Sequence, residues 1–166
     1  GVNRQIKGQK KEVFAIVGFY VDERDTPMYS KEYLPTLIHE FNHSFINYLL
    51  DEKHYPDHTK ELEPAATELF RSSQWAMSKQ AYGNWKTMIN ESLVRAAVIC
   101  YMLDMDYDLA TIENELSEQI QRNFRWMPEL VSLLRKYEKK QQKYITFENF
   151  YPNIMDFFQE YARRDK

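Results

Sequence analysis

Five consecutive residues carry the densest chemistry in this sequence: His39-Glu40-Phe41-Asn42-His43. On an α-helix, residues i and i+4 stand one above the other, so both imidazoles can face a single point. Two neutral imidazoles so placed are nitrogen ligands for a metal ion, and zinc (Zn2+) accepts them at ~2.0–2.1 Å in a tetrahedral shell. Glu40 is rotated ~100° from His39 by helix geometry. It therefore sits beside such an ion, where it can take a proton from a metal-activated water. Leu34, Leu37, Ile38, Phe41, Phe45 and Leu49 follow the three–four spacing of one buried helical face around the motif. The blander reading is a pair of histidines at the edge of a packing surface, but two histidines flanking an acid are a costly way to fill a core.

A catalytic zinc needs a third protein ligand and an open fourth place. Ile46 and Leu49 occupy the positions where a metzincin would carry its glycine and third histidine. His54 and His58 lie in a short segment around Pro56 and read as solvated loop histidines. Glu91 is the stronger candidate. It falls among Met88, Ile89, Leu93, Val94, Ala97 and Val98, and a carboxylate in so apolar a stretch needs a partner. That partner is a metal, or Arg95 one turn on, or both, with Arg95 fixing the second carboxylate oxygen. Glu63 and Glu68 are the alternative ligands. Glu63 precedes Pro64, which biases it towards an extended or cap-like conformation.

The elements that must position these groups are mostly helical. Val13 to Val21 is short, β-branched and aromatic, and is the best strand in the chain. A strand cannot stand alone, so it needs a partner. Residues 22–30 are turn-rich. Ser30 can cap the helix of the motif, with Pro35 in its first turn. Further helices are expected at about 61–80 with Pro64 in the first turn, from Asn84 to about 103, and at about 109–123, 128–142 and 153–163. The fold class expected is α+β and predominantly α-helical, with a β region at about 12–21 before the HExxH helix and four or five helices after it. Residues 1–166 read as one domain, with 1–11 as a basic, solvated lead-in. Gly1 stands where an initiator Met would be, and reads as a remnant on a piece excised from a longer chain, with any signal peptide left behind.

Composition narrows the function classes. A chain of 166 residues with 43% hydrophobic and 15% aromatic side chains can bury a sizeable core and is not a disordered chain. A net charge of −3 gives no global basic field, so no nucleic-acid partner is expected. The basic run at 135–140 reads as cations at a helix C-terminus. No apolar run approaches the ~18–20 residues of a transmembrane segment. The single Cys100 excludes an internal disulfide and reads as a small buried apolar group. Trp75, Met77, Tyr82 and Trp85 read as core at a helix corner. Asp104, Asp106 and Asp108 alternate like calcium ligands but lack that loop's glycine and distal glutamate.

The HExxH helix with Asn90-Glu91-Ser92-Leu93-Val94-Arg95 on a later one resembles the gluzincin branch of zinc metallopeptidases. More narrowly, over roughly residues 12–105, the chain resembles an uncharacterised, metallopeptidase-like domain family of bacterial, often exported, proteins. There a strand, an (I/L)-H-E-F-x-H helix and an E-x-x-x-R-A helix follow in order. Arg95 stands where thermolysin-like enzymes carry an Asp, and the interval from His43 to Glu91 is longer than theirs.

The resemblance implies a zincin-like fold and metal-assisted hydrolysis of a peptide or protein substrate outside the cytoplasm. Zinc held by His39, His43 and Glu91 would polarise water and the scissile carbonyl. Glu40 would act as general base, with Arg95 and Asn90 behind the ligands. The 13–21 strand would bind substrate in extended form. The oxyanion donor expected from the family is a Tyr or His, with Tyr151 and Tyr82 the first candidates. The alternative is a non-catalytic zincin-like domain that keeps the fold, and with it the zinc, for binding or structure.

Overall fold

The computed structural model describes residues 2–4, 12–28 and 30–165. Among them, two small antiparallel ladders precede six helices. Strands β1 (Val2–Arg4) and β2 (Glu12–Phe14) pair with Asn3 opposite Val13. Strands β3 (Tyr20–Val21) and β4 (Pro27–Met28) form a hairpin with Tyr20 opposite Met28. The strand expected over 13–21 is thus split, because its two ends pair with different partners. Part of the expected lead-in, residues 2–4, supplies one of those partners. The rest of that lead-in, 5–11, lies outside the described residues. At the hairpin tip, Asp22 accepts hydrogen bonds from the backbone of Arg24 and Thr26, and Asp25 takes the left-handed conformation with φ 59°.

A single 3-10 turn (Lys31–Tyr33) leads into α1 (Leu34–Ile46), with Pro35 in its first turn where its missing N–H costs nothing. A second 3-10 stretch, Asn47–Leu50, tightens its end. The next helices are α2 (Pro56–Lys79), α3 (Trp85–Asp104), α4 (Leu109–Gln121), α5 (Met127–Glu138) and α6 (Phe147–Arg164).

Two prolines correct the expected boundaries. Helix α2 starts at Pro56, so Pro64 lies inside it, and α6 runs through Pro152 instead of opening there. Both prolines are exposed, so the carbonyl each leaves unpaired can be hydrated. The start of α6 is set instead by a reciprocal cap between Thr146 and Asn149.

Helices α2, α3 and α4 end in the same way. Ala81, Asp106 and Asn123 adopt φ of 63°, 52° and 74°. The next amide then reaches back five residues, Tyr82 to Met77 at 3.0 Å, Tyr107 to Met102 at 3.1 Å and Phe124 to Gln119 at 2.9 Å. This closure satisfies the last carbonyls of each helix and reverses the chain sharply.

Helix α3 is the axis of the fold. It packs against α1, α2, α4 and α5, while α2 also packs along α6. Its Leu93, Val94, Ile89 and Met88 are fully buried, and the core continues through Trp126, Phe124 and Phe158. The Trp126 indole N–H donates to Ser92 Oγ at 3.0 Å, and that hydroxyl donates to Met88 O at 2.7 Å. A helix in contact with others on most sides is apolar nearly all round, which is why its sequence shows a weak stripe.

Two residues expected on buried faces, Phe45 and Trp75, are exposed. Met77 and Trp85 are buried, but Trp75 is 73% exposed with Lys79 Nζ 3.6 Å above its ring. Cys100 is buried, and burial pushes its thiol up to about 12, which leaves it an inert apolar group.

The end of α2 yields the first prediction. Ala81 holds a left-handed conformation that penalises a Cβ by ~1–2 kcal/mol. Replacing it by glycine removes that strain and adds unfolded-chain entropy of ~0.4–1 kcal/mol. Ala81→Gly should therefore raise stability by about 0.5–1 kcal/mol in urea unfolding.

Candidate metal centre

Packing of α1 on α3 decides the site. It sets His39 and His43, one turn apart on α1, against Glu91 in the middle of α3. The two imidazole Nε2 atoms lie 3.2 Å apart. Glu91 Oε1 is 3.3 Å from His43 Nε2, and Glu91 Oε2 is 3.7 Å from His39 Nε2. Glu91 is only 8% exposed, and both histidines are half-buried.

A neighbour at the end of α1 suits one tautomer of His43. His43 Nδ1 lies 3.3 Å from the side-chain carbonyl oxygen of Asn47, which can only accept. In the tautomer with its proton on Nδ1, His43 donates to Asn47 and turns an Nε2 lone pair towards His39 and Glu91, as metal ligation requires. Burial, against the pull of Glu91, holds the His39 imidazole below its ordinary value of 6.5, with His43 and Arg95 pushing the same way. A neutral His39 is the form that can ligate.

Two imidazole nitrogens and a carboxylate oxygen at such distances need a proton or a cation among them. The edges of a tetrahedron with metal–ligand bonds of ~2.0–2.1 Å are about 3.3–3.4 Å. The separations of 3.2 Å between the imidazoles and 3.3 Å from His43 Nε2 to Glu91 Oε1 match that length, while the 3.7 Å approach to His39 is made by the other carboxylate oxygen. Among the described residues, His39, His43 and Glu91 form the group of acids, histidines and cysteines able to hold a metal ion.

Behind Glu91 stands a chain of polar groups. The Tyr82 hydroxyl donates to Glu91 Oε2 at 2.9 Å and accepts from Arg95 Nη2 at 2.7 Å. Arg95 Nε is 3.3 Å from the same oxygen, at an angle too poor for a hydrogen bond. Arg95 Nη1 donates to Gln119 Oε1 at 3.1 Å, and Gln119 Nε2 donates to Glu115. Burial and the charge of Glu91 raise the Tyr82 phenol above its ordinary value, so it stays a donor.

The other residues singled out from the sequence fall as follows. Glu40 is half-buried on α1, next to His39. Asn90 is half-buried, and its Oδ1 has no hydrogen-bond partner among the described residues. Glu63 and Glu68 are exposed on α2, outside the group of three. Glu63 is helical, not extended, because α2 runs through Pro64.

Tyr151 is fully buried with its ring stacked 4.6 Å from His58, which in turn stacks on Tyr55 at 4.8 Å. His58 is therefore a packed residue on α2 and not a loop histidine. His54 is exposed and paired with Asp51 at 2.7 Å. Asn47, Gln119 and Glu115 were not expected at the site. Asn47 could have been found one turn past His43; nothing in the sequence links Gln119 to Glu91.

The metal group, the helix that carries it and the helices around it all fall inside one family match. A domain family of unknown function, DUF4932, matches residues 21–157. The chain belongs to this family. The matched span of the DUF4932 domain takes in His39, His43, Glu91, Tyr82, Arg95 and Gln119. No curated protein and no solved structure matches the chain. No helix among the described residues of this DUF4932 domain is long and apolar enough to cross a membrane.

The depressed His39 sets a pH dependence. In the unfolded chain its imidazole returns to the ordinary 6.5 and binds a proton more readily than in the fold. Its contribution to stability is thus fully present above about pH 6.5 and is lost as the pH falls towards the lower folded value. Urea unfolding of the metal-free protein should show this acid-side slope, and His39→Gln should flatten it.

Proposed function

We propose that this DUF4932 domain is a zinc-dependent peptidase, with His39, His43 and Glu91 as metal ligands and Glu40 as general base. The observation that carries the reading is the convergence of the two Nε2 atoms and the Glu91 carboxylate, with one ligand atom from each residue within 4.8 Å of the others. Two imidazoles and one carboxylate suit zinc, and three protein ligands leave a place for water. When bound, zinc would supply Lewis-acid polarisation and lower the pKa of water from ~15.7 towards ~7. Glu40 follows His39 on the same helix, at the angle from which a carboxylate can take the proton of the attacking water. It then returns that proton to the leaving amine.

Two clefts support a peptide as the substrate class. One is lined by Gly18, Phe19, Tyr20, Glu32, Tyr33 and Thr36. The other contains Thr36, His39 and Arg95. Thr36 lines both, so the two clefts adjoin at the start of α1 and the second reaches His39. Residues 15–19 join β2 to β3 without belonging to a strand. An extended peptide laid beside them would gain the backbone pairing of an added strand and present its carbonyl at His39. Export, implied by the family resemblance, belongs to the same reading, and fractionation of cells making the whole protein tests it.

Purified protein dialysed against metal-free buffer should retain close to one zinc per chain by elemental analysis. Glu40→Ala should keep that zinc and lose ~10²–10⁴-fold in peptide hydrolysis, the range for a general base. Full turnover in that variant would remove Glu40 from the mechanism. Retained zinc without any hydrolysis in the wild type would favour the non-catalytic, metal-keeping alternative. Glu91→Ala should weaken zinc binding strongly and Glu63→Ala should not, as read by competition with a chromogenic chelator.

A further inference from the structure

We infer that Tyr82 is a positioning residue that restricts Glu91 to metal coordination through one oxygen, with Arg95 as its anchor. The inference rests on the metal site proposed above and gives Tyr82 a role other than that of an oxyanion donor. A phenol has one proton, and the proton of Tyr82 is directed to Glu91 Oε2 at 2.9 Å while its oxygen accepts from Arg95 at 2.7 Å. No proton remains for a reacting carbonyl oxygen.

The two oxygens of Glu91 are therefore unequal. Oε2 accepts from Tyr82, lies 3.3 Å from the Arg95 guanidinium and is 3.7 Å from His39 Nε2. Oε1 faces His43 Nε2 at 3.3 Å, and no other described residue donates a hydrogen bond to it. Oε1 is the oxygen left for a metal. The distinction has a consequence for coordination number. Two imidazoles and one carboxylate oxygen make three protein ligands and leave one tetrahedral place open. A carboxylate free to pivot could supply both oxygens and fill that place itself.

The clamp is held from both ends. The Tyr82 backbone is fixed by its amide's hydrogen bond to Met77 O at 3.0 Å, in the left-handed closure of α2. Its ring packs against Phe124 at 6.2 Å between centroids. Arg95 is held by Gln119, which is 2% exposed and is itself tied to Glu115 on the same helix. Three helix segments thus fix one carboxylate rotamer. Groups of this kind behind a metal ligand commonly change affinity ~10–100-fold when removed.

Cobalt(II) titration of the metal-free protein tests this, since cobalt absorbs visible light strongly when four-coordinate and weakly when five-coordinate. The wild type should give the intense four-coordinate spectrum. Tyr82→Phe, which keeps the ring and removes the hydroxyl, should give weaker, shifted bands and bind cobalt ~10–100-fold less tightly against a competing chelator. If Tyr82→Phe fails to fold by circular dichroism, Arg95→Lys reads the same clamp from its other end, with a smaller shift in the same direction. Identical spectra and affinities in wild type and folded variant would overturn the clamp and leave the metal site standing. A five-coordinate spectrum in the wild type would also overturn it. Absence of cobalt binding in the wild type would overturn both.

Discussion

Glu91 places a full negative charge on the most buried helix of the molecule, and much of the surrounding structure answers that charge. A carboxylate taken out of water must be compensated by partners that cost less than the hydration it lost. Here the partners come from four directions. Arg95 lies one turn along the same helix, Tyr82 comes from the closure of α2, and α1 brings the two histidines, which answer the charge when a proton or a cation lies between them and Glu91. Helix α4 contributes at one remove, through Gln119 on Arg95. The packing of α1, α2 and α4 around α3 is therefore also the arrangement that satisfies Glu91.

Rigid support follows from the same arrangement. Helices α2, α3 and α4 end in left-handed closures of the same kind, which fix where the next residue stands. In one of them that residue is Tyr82, and in another the closing amide of Phe124 bonds to Gln119 O. Ser92, beside Glu91, is tied to Trp126 across the core. A site built on helices so anchored keeps its side chains close to one geometry, as metal ligation with an open place requires.

The histidine pair was legible because its geometry is local. Four residues on a helix give nearly one turn, and the apolar pattern of Leu34 to Leu49 identifies the helix without tertiary information. Glu91 was legible by a different signal, a charge in a run of apolar residues, and Arg95 followed from the i,i+4 rule. Tyr82 was noticed for its chemistry but given another task, since the sequence does not show which oxygen its hydroxyl faces. Helix ends were misjudged where proline was taken as a boundary. Pro64 and Pro152 are exposed, so the carbonyl each leaves unpaired can be hydrated, the helix continues and Glu63 turns to solvent. Tyr151 is removed from the cleft by burial in the aromatic stack with His58.

What the sequence by itself determined is everything that depends on neighbours within one turn. This includes the helical class, the HExxH pair, the cap at Asn84, and the buried charge at Glu91 with its own counter-ion. Tertiary structure decided what depends on contacts between distant segments. These are the closure of Glu91 on the histidines, the hydroxyl bridge from Tyr82, the link to Gln119 and the split of 13–21 between two ladders. The physical reason is that a helix fixes relative positions only along its own axis. Which faces meet across a core is chosen by packing and by the need to compensate buried charge, and both are properties of the assembled whole.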